Sequence, residues 1–282
     1  RAVLENNDEV ICSAPYFVEY NFYAGNYGGI LKSVPSKPDF SLDIEAIEQA
    51  ITSKTRAVII NSPNNPTGQI YSASEIAALV AVLKTHSEKN KRTIYLISDE
   101  PYRFLNFDGI EIPGVFQYYD AAVVIGSFSK NLSLAGERIG FIAVNPELNG
   151  AAELVAGLIM CNRILGFVNA PVVAQKLILK CIDSEVDLEI YRRRRDAMAE
   201  VLSDAGVDFV MPRGAFYFFP KSPCADEQLF VDALLAERVL AVSGKGFGMA
   251  GYIRLAFCSI DEKQIRASAE SFRKAVVAVR GL

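Results

Sequence analysis

Ser127-Phe128-Ser129-Lys130-Asn131-Leu132-Ser133-Leu134-Ala135-Gly136-Glu137-Arg138-Ile139-Gly140 lies between two apolar runs, Ala121 to Ile125 and Ile139 to Val144. Both runs read as buried strands. Hydroxyls, one lysine and one arginine thus occupy a glycine-punctuated link at a sheet edge, where loops carry chemistry and the sheet holds them still. Lys130 is the candidate reactive group, because an amine that has lost its proton forms a Schiff base with an aldehyde. Ser127, Ser129 and Arg138 offer hydroxyl donors and a guanidinium fork suited to a phosphate dianion. For this segment alone, an ordinary loop with a solvated lysine is the alternative.

Upstream, short apolar runs alternate with helical patterns. Strands are expected at Glu9 to Cys12, Gly28 to Val34, Ala57 to Ile60 and Thr93 to Ile97. Helices are expected over Tyr16 to Tyr23 as a turn, over Asp43 to Ile51, and after Ser72 and Glu75, which form a capping box. Ile76, Leu79, Val80 and Leu83 give that last helix its inward face. Such alternation predicts an α/β fold with a mostly parallel, doubly wound sheet.

Downstream, Pro146 suits the first turn of a helix, and Glu153 to Ile164 and Asn169 to Leu202 are helical, the second broken near Ser184. Strands are expected at Asp208 to Met211, Ala215 to Phe219, Val239 to Val242 and Tyr252 to Phe257, with a helix from Asp226 to Arg238. Ser259 and Glu262 read as a capping box before a terminal helix with Ile265, Phe272 and Val276 inward. The mixture predicts a smaller C-terminal α+β domain, dividing the chain into residues 1–180 and 181–282.

The 282 residues carry a net charge of −4, which argues against nucleic-acid binding. The densest basic run, Arg192 to Arg195, reads as a solvated helix face or a set of interdomain ion pairs. No apolar stretch is long enough to cross a bilayer as a helix, so no membrane partner is expected. Five cysteines without metal spacing and a single histidine, His86, argue against a metal site; the cysteines read as buried small residues of a reducing, cytoplasmic setting, and His86 as a surface residue at a polar helix end.

Three chemically loaded turns follow consecutive strands: Asn61-Ser62-Pro63-Asn64-Asn65-Pro66-Thr67-Gly68, Ser98-Asp99-Glu100-Pro101-Tyr102, and the lysine segment. Open α/β sheets bind ligands at that edge. Together the turns supply an amine, a carboxylate, a phenol, an amide and a phosphate clamp, the set that pyridoxal phosphate requires. A carboxylate such as Asp99 beside the pyridine nitrogen keeps it protonated and makes the ring an electron sink. Tyr102 and Asn65 are suited to donate to the phenolic oxygen. Lys130 is placed to act as the base at the substrate's α-carbon. Phe17 is either core or a cap on the ring face. Arg254 is either a surface ion pair or a bidentate clamp for a carboxylate.

In these motifs the chain resembles the pyridoxal-phosphate-dependent aminotransferases of fold type I, class I/II, the group that includes aspartate aminotransferase. The resemblance runs over essentially all of the chain. It implies that Lys130, Asp99 and Tyr102 are catalytic. It implies that pyridoxal 5'-phosphate is held by Lys130, Asp99, Tyr102, Asn65, Ser127, Ser129 and Arg138, with Phe17 stacked on its ring. It gives Arg254 the substrate carboxylate and names Asn65 as a second substrate-binding residue. Gly214 to Tyr217 is similar to the family's Gly-Ala-Phe-Tyr segment. The implied reaction moves an amino group from an L-amino acid to a 2-oxo acid, in a homodimer. The alternatives are a carbon–sulfur β-lyase and an inactive fragment or structural scaffold. The family also has an N-terminal arm, a first helix, a Gly-rich phosphate turn and a first strand ahead of the point where this sequence starts. A seven-stranded sheet is therefore expected to be incomplete here, with the edge at Ile139 to Val144 uncovered.

Overall fold

The computed structural model describes residues 1–280. Gly281 and Leu282, the end of the expected second domain, lie outside the described residues. The first half alternates β1 (Glu9–Ala14), α1 (Tyr20–Gly25), β2 (Ile30–Pro35), α2 (Ile44–Ala50), β3 (Thr55–Asn61), α3 (Ala73–Asn90), β4 (Tyr95–Asp99), β5 (Ala122–Ser127), α4 (Phe128–Asn131) and β6 (Gly140–Val144). The six strands form one sheet in the order β2-β1-β3-β4-β5-β6. All neighbours are parallel except β5 and β6, which are antiparallel. Parallel strands buried on both faces carry continuous apolar runs. β3 follows that rule, with Ala57, Val58 and Ile60 all buried.

The helix signals upstream hold. Ser72 Oγ accepts from Glu75 N, and Glu75 Oε2 accepts from Ser72 N at 2.8 Å, closing the capping box. Ile76, Leu79, Val80 and Leu83 are buried in one core with Ile47 of α2 and Leu96 of β4. Ala24 of α1 packs with Val10 and Ala57 in a second cluster. β6 forms one margin of the sheet, with Phe141 and Ile142 about half exposed.

The second half holds α5 (Ala151–Ile164), α6 (Val172–Cys181), α7 (Leu188–Asp204), β7 (Tyr217–Phe218), α8 (Glu227–Ala236), β8 (Val242–Ser243), β9 (Ile253–Ala256), α9 (Glu262–Ala267) and α10 (Ala269–Val279). Its three strands form a small antiparallel sheet in the order β7-β9-β8.

Several boundaries differ from the sequence reading, each for a local reason. Asp208 to Met211 is not a strand, and the backbone that follows bonds elsewhere. Arg213 N and Gly214 N both donate to Gly68 O, at 2.9 and 2.8 Å. Val239 closes α8 by donating to Leu234 O, so only Val242–Ser243 pairs in the sheet. The capping box uses Asp261 and Gln264 rather than Ser259 and Glu262. The terminal helix divides at Ser268, whose Oγ donates to Ile265 O at 2.6 Å. Asn169 to Leu202 resolves into α6 and α7, the latter capped by Asp187. Pro146 lies in a turn, and α5 starts after Gly150 at φ 83°. Of the cysteines only Cys12 is buried.

Two junctions tie the halves together. Gly68 adopts φ +71°, and a Cβ there would run into Pro212 and come within 2.7 Å of Gly214 O. Only glycine allows that approach of two backbones. The arginine run is the second junction and mixes both expected readings. Arg195 is buried against Asp108 at 3.1 Å, and Arg192 donates to Phe107 O at 2.9 Å. Arg193 faces solvent with Glu262.

Candidate active site

The parallel register aligns the loaded turns. Asn61 lies opposite Asp99, and Asp99 opposite Ile125, so β3, β4 and β5 end side by side. Asn61 Nδ2 donates to Asp99 O at 2.8 Å, and Asn61 Oδ1 accepts from Asn65 N at 2.6 Å. Asn64 Oδ1 accepts from both the amide and the hydroxyl of Thr67. The turn after β3 is thus held by its own side chains, which is why asparagines favour such positions. It presents Asn65 in a buried setting.

Asp99 accepts from Tyr20 Oη through Oδ2 at 2.5 Å. Burial pushes its carboxyl up to about 6. The Tyr20 bond opposes that rise, and the charge of Glu100 adds to it. Burial, then the Asp99 charge and bond, hold the Tyr20 phenol well above its ordinary range. The Phe17 ring meets Tyr20 edge-on at 5.6 Å.

Lys130 sits in the single turn of α4, whose N-cap is Ser127. Ser127 Oγ accepts from Ser129 N at 3.1 Å. Lys130 Nζ lies 5.7 Å from the centroid of Phe216 and makes no ion pair with the described residues. Arg138 is exposed at φ 51° and donates to Ala135 O at 2.7 Å, at the rim of the site.

Arg254 reaches the same place from β9. Its Nη1 donates to Asn65 Oδ1 at 3.1 Å, and its guanidinium lies between Tyr217 and Phe247, 4.8 and 4.7 Å from their centroids. Its Nε is buried and has no hydrogen-bond partner among the described residues. The surface ion-pair alternative for Arg254 therefore falls. The buried hydroxyls of Tyr102 and Tyr217 are 2.9 Å apart.

One cavity of about 760 Å³ is lined by Phe17, Asn65, Asp99, Tyr102, Ser127, Ser129, Lys130, Arg138 and Arg254 together. The structure thus brings into one space every site residue singled out from the sequence. Among the described residues no cluster of histidine, cysteine, aspartate or glutamate could hold a metal ion. No helix among them is long and apolar enough to cross a membrane.

The profile of the family "Aminotransferase class I and II" matches residues 1–272. The chain belongs to this family. It is 33% identical to the aspartate aminotransferase of Thermotoga maritima, over 94% of this chain and 69% of the relative. It is 31% identical to a probable aspartate/prephenate aminotransferase of Aquifex aeolicus, with the same coverage. Among solved structures, an amino transferase from Eubacterium rectale superposes with a TM-score of 0.94 at 40% identity, over 99% of this chain and 70% of that one. The chain is an aminotransferase, and its family membership implies dependence on pyridoxal phosphate.

The residues of this aminotransferase fit that cofactor. The cavity combines a half-buried carboxyl, an amine with no ion pair among the described residues, an amide, phenols, hydroxyls and guanidinium groups. The orphaned Nε of Arg254 adds a donor that calls for an acceptor in the site. Among the other lining residues, Tyr20, Asn61 and Tyr217 bond to residues of the site and were given no role from the sequence. Tyr20 lies three residues after Phe17, and Tyr217 ends the Gly-Ala-Phe-Tyr segment, so both were visible as candidates. Their partners were not, because Asp99 and Tyr102 are 79 and 115 residues away.

Proposed function

We propose that this aminotransferase moves an amino group from an L-amino acid to a 2-oxo acid, using the nine cavity residues predicted from its sequence. The supporting observation is the convergence of three in-register strand ends with Arg254, whose guanidinium bonds Asn65 across 189 residues. Pyridoxal phosphate, when bound, supplies an aldehyde that takes up amines and a ring that withdraws electrons from the α-carbon. Lys130 would hold that aldehyde through its amine, and the same amine would serve as the base for the proton at the α-carbon. Asp99 keeps the ring nitrogen protonated. Tyr102 Oη and Asn65 Nδ2 donate to the phenolic oxygen. Asn65 Nδ2 is available because its Oδ1 already accepts from Arg254. Ser127, Ser129 and Arg138 bind the phosphate, and Phe17 covers one ring face.

Arg254 clamps the α-carboxylate. Arg254→Gln is expected to raise KM for the amino acid about 10- to 100-fold, the scale of one lost charge-assisted contact, with a smaller change in kcat. Equal losses in kcat alone would contradict that role. Arg254 reads a group common to all α-amino acids, so it does not choose among side chains. A half-reaction screen of acidic, aromatic and aliphatic donors, following 2-oxo acid release by the chain with added cofactor, tests the proposal. Aspartate belongs in that screen because relatives carry its name. No turnover with any donor would refute it.

We also propose that residues 1–180 and 181–282 act as a large and a small unit, which the separate sheets support. A homodimer fits the apolar surface. α5 has no fully buried residue, and Ile159, Met160, Ile164 and Val173 are more than half exposed. Such a face needs a cover. Sedimentation at micromolar concentration is expected to give about twice the chain mass, and Ile159→Asp to give the single-chain mass. A parent that sediments as one chain would remove this part.

A further inference from the structure

We infer that Tyr217 is a positioning residue of this site: its hydroxyl aims that of Tyr102, and its ring carries the guanidinium of Arg254. The inference rests on the proposed function, in which Tyr102 and Arg254 face cofactor and substrate.

Tyr217 is buried on β7 and lines the cavity. Its backbone pairs with Ala256 of β9. Arg254 lies two residues along β9 on the same face, as diagonal neighbours in a sheet do. That register explains why the guanidinium lies over the Tyr217 ring at 4.8 Å. The same side chain meets Tyr102 edge-on, ring centroids 5.6 Å apart, with the hydroxyl oxygens at 2.9 Å.

Each phenol has one hydrogen to give. If Tyr102 gives its hydrogen to the cofactor's phenolic oxygen, the hydrogen between the two tyrosines must come from Tyr217. Tyr217 then donates to Tyr102, and Tyr102 donates onward. A hydroxyl that accepts one bond is a stronger donor in the next. Burial raises the pKa of both phenols, so both remain protonated donors at neutral pH. The Tyr217 hydroxyl thus acts at the cofactor end, through Tyr102. Its ring acts at the substrate end, through Arg254.

Two substitutions separate these roles. Tyr217→Phe removes the hydroxyl and keeps the ring under Arg254. Tyr217→Leu removes both. With the chain and added pyridoxal phosphate, Tyr217→Phe is expected to weaken cofactor affinity several-fold, measured by equilibrium dialysis. It should lower kcat about tenfold and leave KM for the amino acid within twofold. Tyr217→Leu is expected to raise that KM at least about tenfold as well. In a Tyr102→Phe background, Tyr217→Phe should cost little more, because its route is gone. Additive losses would mark a merely structural role and overturn the inference, as would a Tyr217→Phe variant with unchanged affinity and kcat. No amino transfer by the parent chain would overturn the proposed function and this inference with it. An active parent with an unchanged Tyr217→Phe overturns this inference alone.

Discussion

Lys130→Ala is expected to lower kcat by at least about 10³-fold while leaving the fold intact. A positioned general base contributes about 10²–10⁴-fold, and here the same amine also anchors the cofactor. The side chain is only half-buried, its nearest described cation–aromatic contact is Phe216 at 5.7 Å, and no ion pair depends on it. Its loss should therefore cost about 1 kcal/mol of stability or less. Borohydride treatment of the parent with pyridoxal phosphate, followed by peptide mass spectrometry, should place a stable adduct on Lys130. The variant should carry none at that peptide. An adduct elsewhere, or comparable turnover without this amine, would remove the centre of the proposed chemistry.

Asp99→Asn is expected to separate stability from activity. The Asp99 carboxyl rises from 3.8 to about 6 because burial disfavours its charge. A buried acid with a raised pKa holds its proton longer in the folded than in the unfolded chain. Its cost is therefore absent below pH 3.8, grows as pH rises towards 6, and is complete above that. At 1.36 kcal/mol per pH unit the full cost is at most about 3 kcal/mol. Partial exposure of the carboxyl lowers it to about 1–2 kcal/mol. Without cofactor, Asp99→Asn should be more stable than the parent at pH 8 by that amount, and equal to it near pH 4. Its amide oxygen can still accept from Tyr20. Activity should fall about 10²–10³-fold, the scale of losing one preorganised electrostatic group. Denaturant titrations at both pH values, paired with turnover, read both effects. A variant that is less stable at pH 8 would show that Asp99 is a structural anchor.

The cost of an ionised Asp99 has a physical origin in the site itself. Tyr20 gives the carboxylate one hydrogen bond, on Oδ2. Full compensation awaits a positive partner on the other oxygen. That is the arrangement expected where a site trades stability for function.

The candidate site was unusually legible because most of it is local. Asp99 ends a strand, and Asn65 and Lys130 follow one, each within a few residues of the end of an apolar run. A run that ends at a parallel sheet's carboxyl edge places the next residues in the cleft. The capping box at Ser72 was legible for a similar reason, since both partners lie within one turn. The failures were of the opposite kind. Asp208 to Met211 has a strand-like composition, but the adjoining amides go to Gly68, a partner far away in sequence. From composition alone Arg254 read first as a surface ion pair, because nothing near it in the chain announces Asn65.

The alternation of strands and helices in the first half, the inward face of α3 and the identity of the chemical groups follow from the chain alone. Burial periodicity acts within windows of about ten residues, and residue type is independent of packing. Tertiary structure decided which groups touch: Tyr20 with Asp99, Tyr217 with Tyr102, and Arg254 with Asn65. Those contacts depend on strand register and on how residues of the small sheet meet the turns that follow the strands of the large one. Both are set by long-range packing, which the hydrophobic pattern of any one segment leaves open.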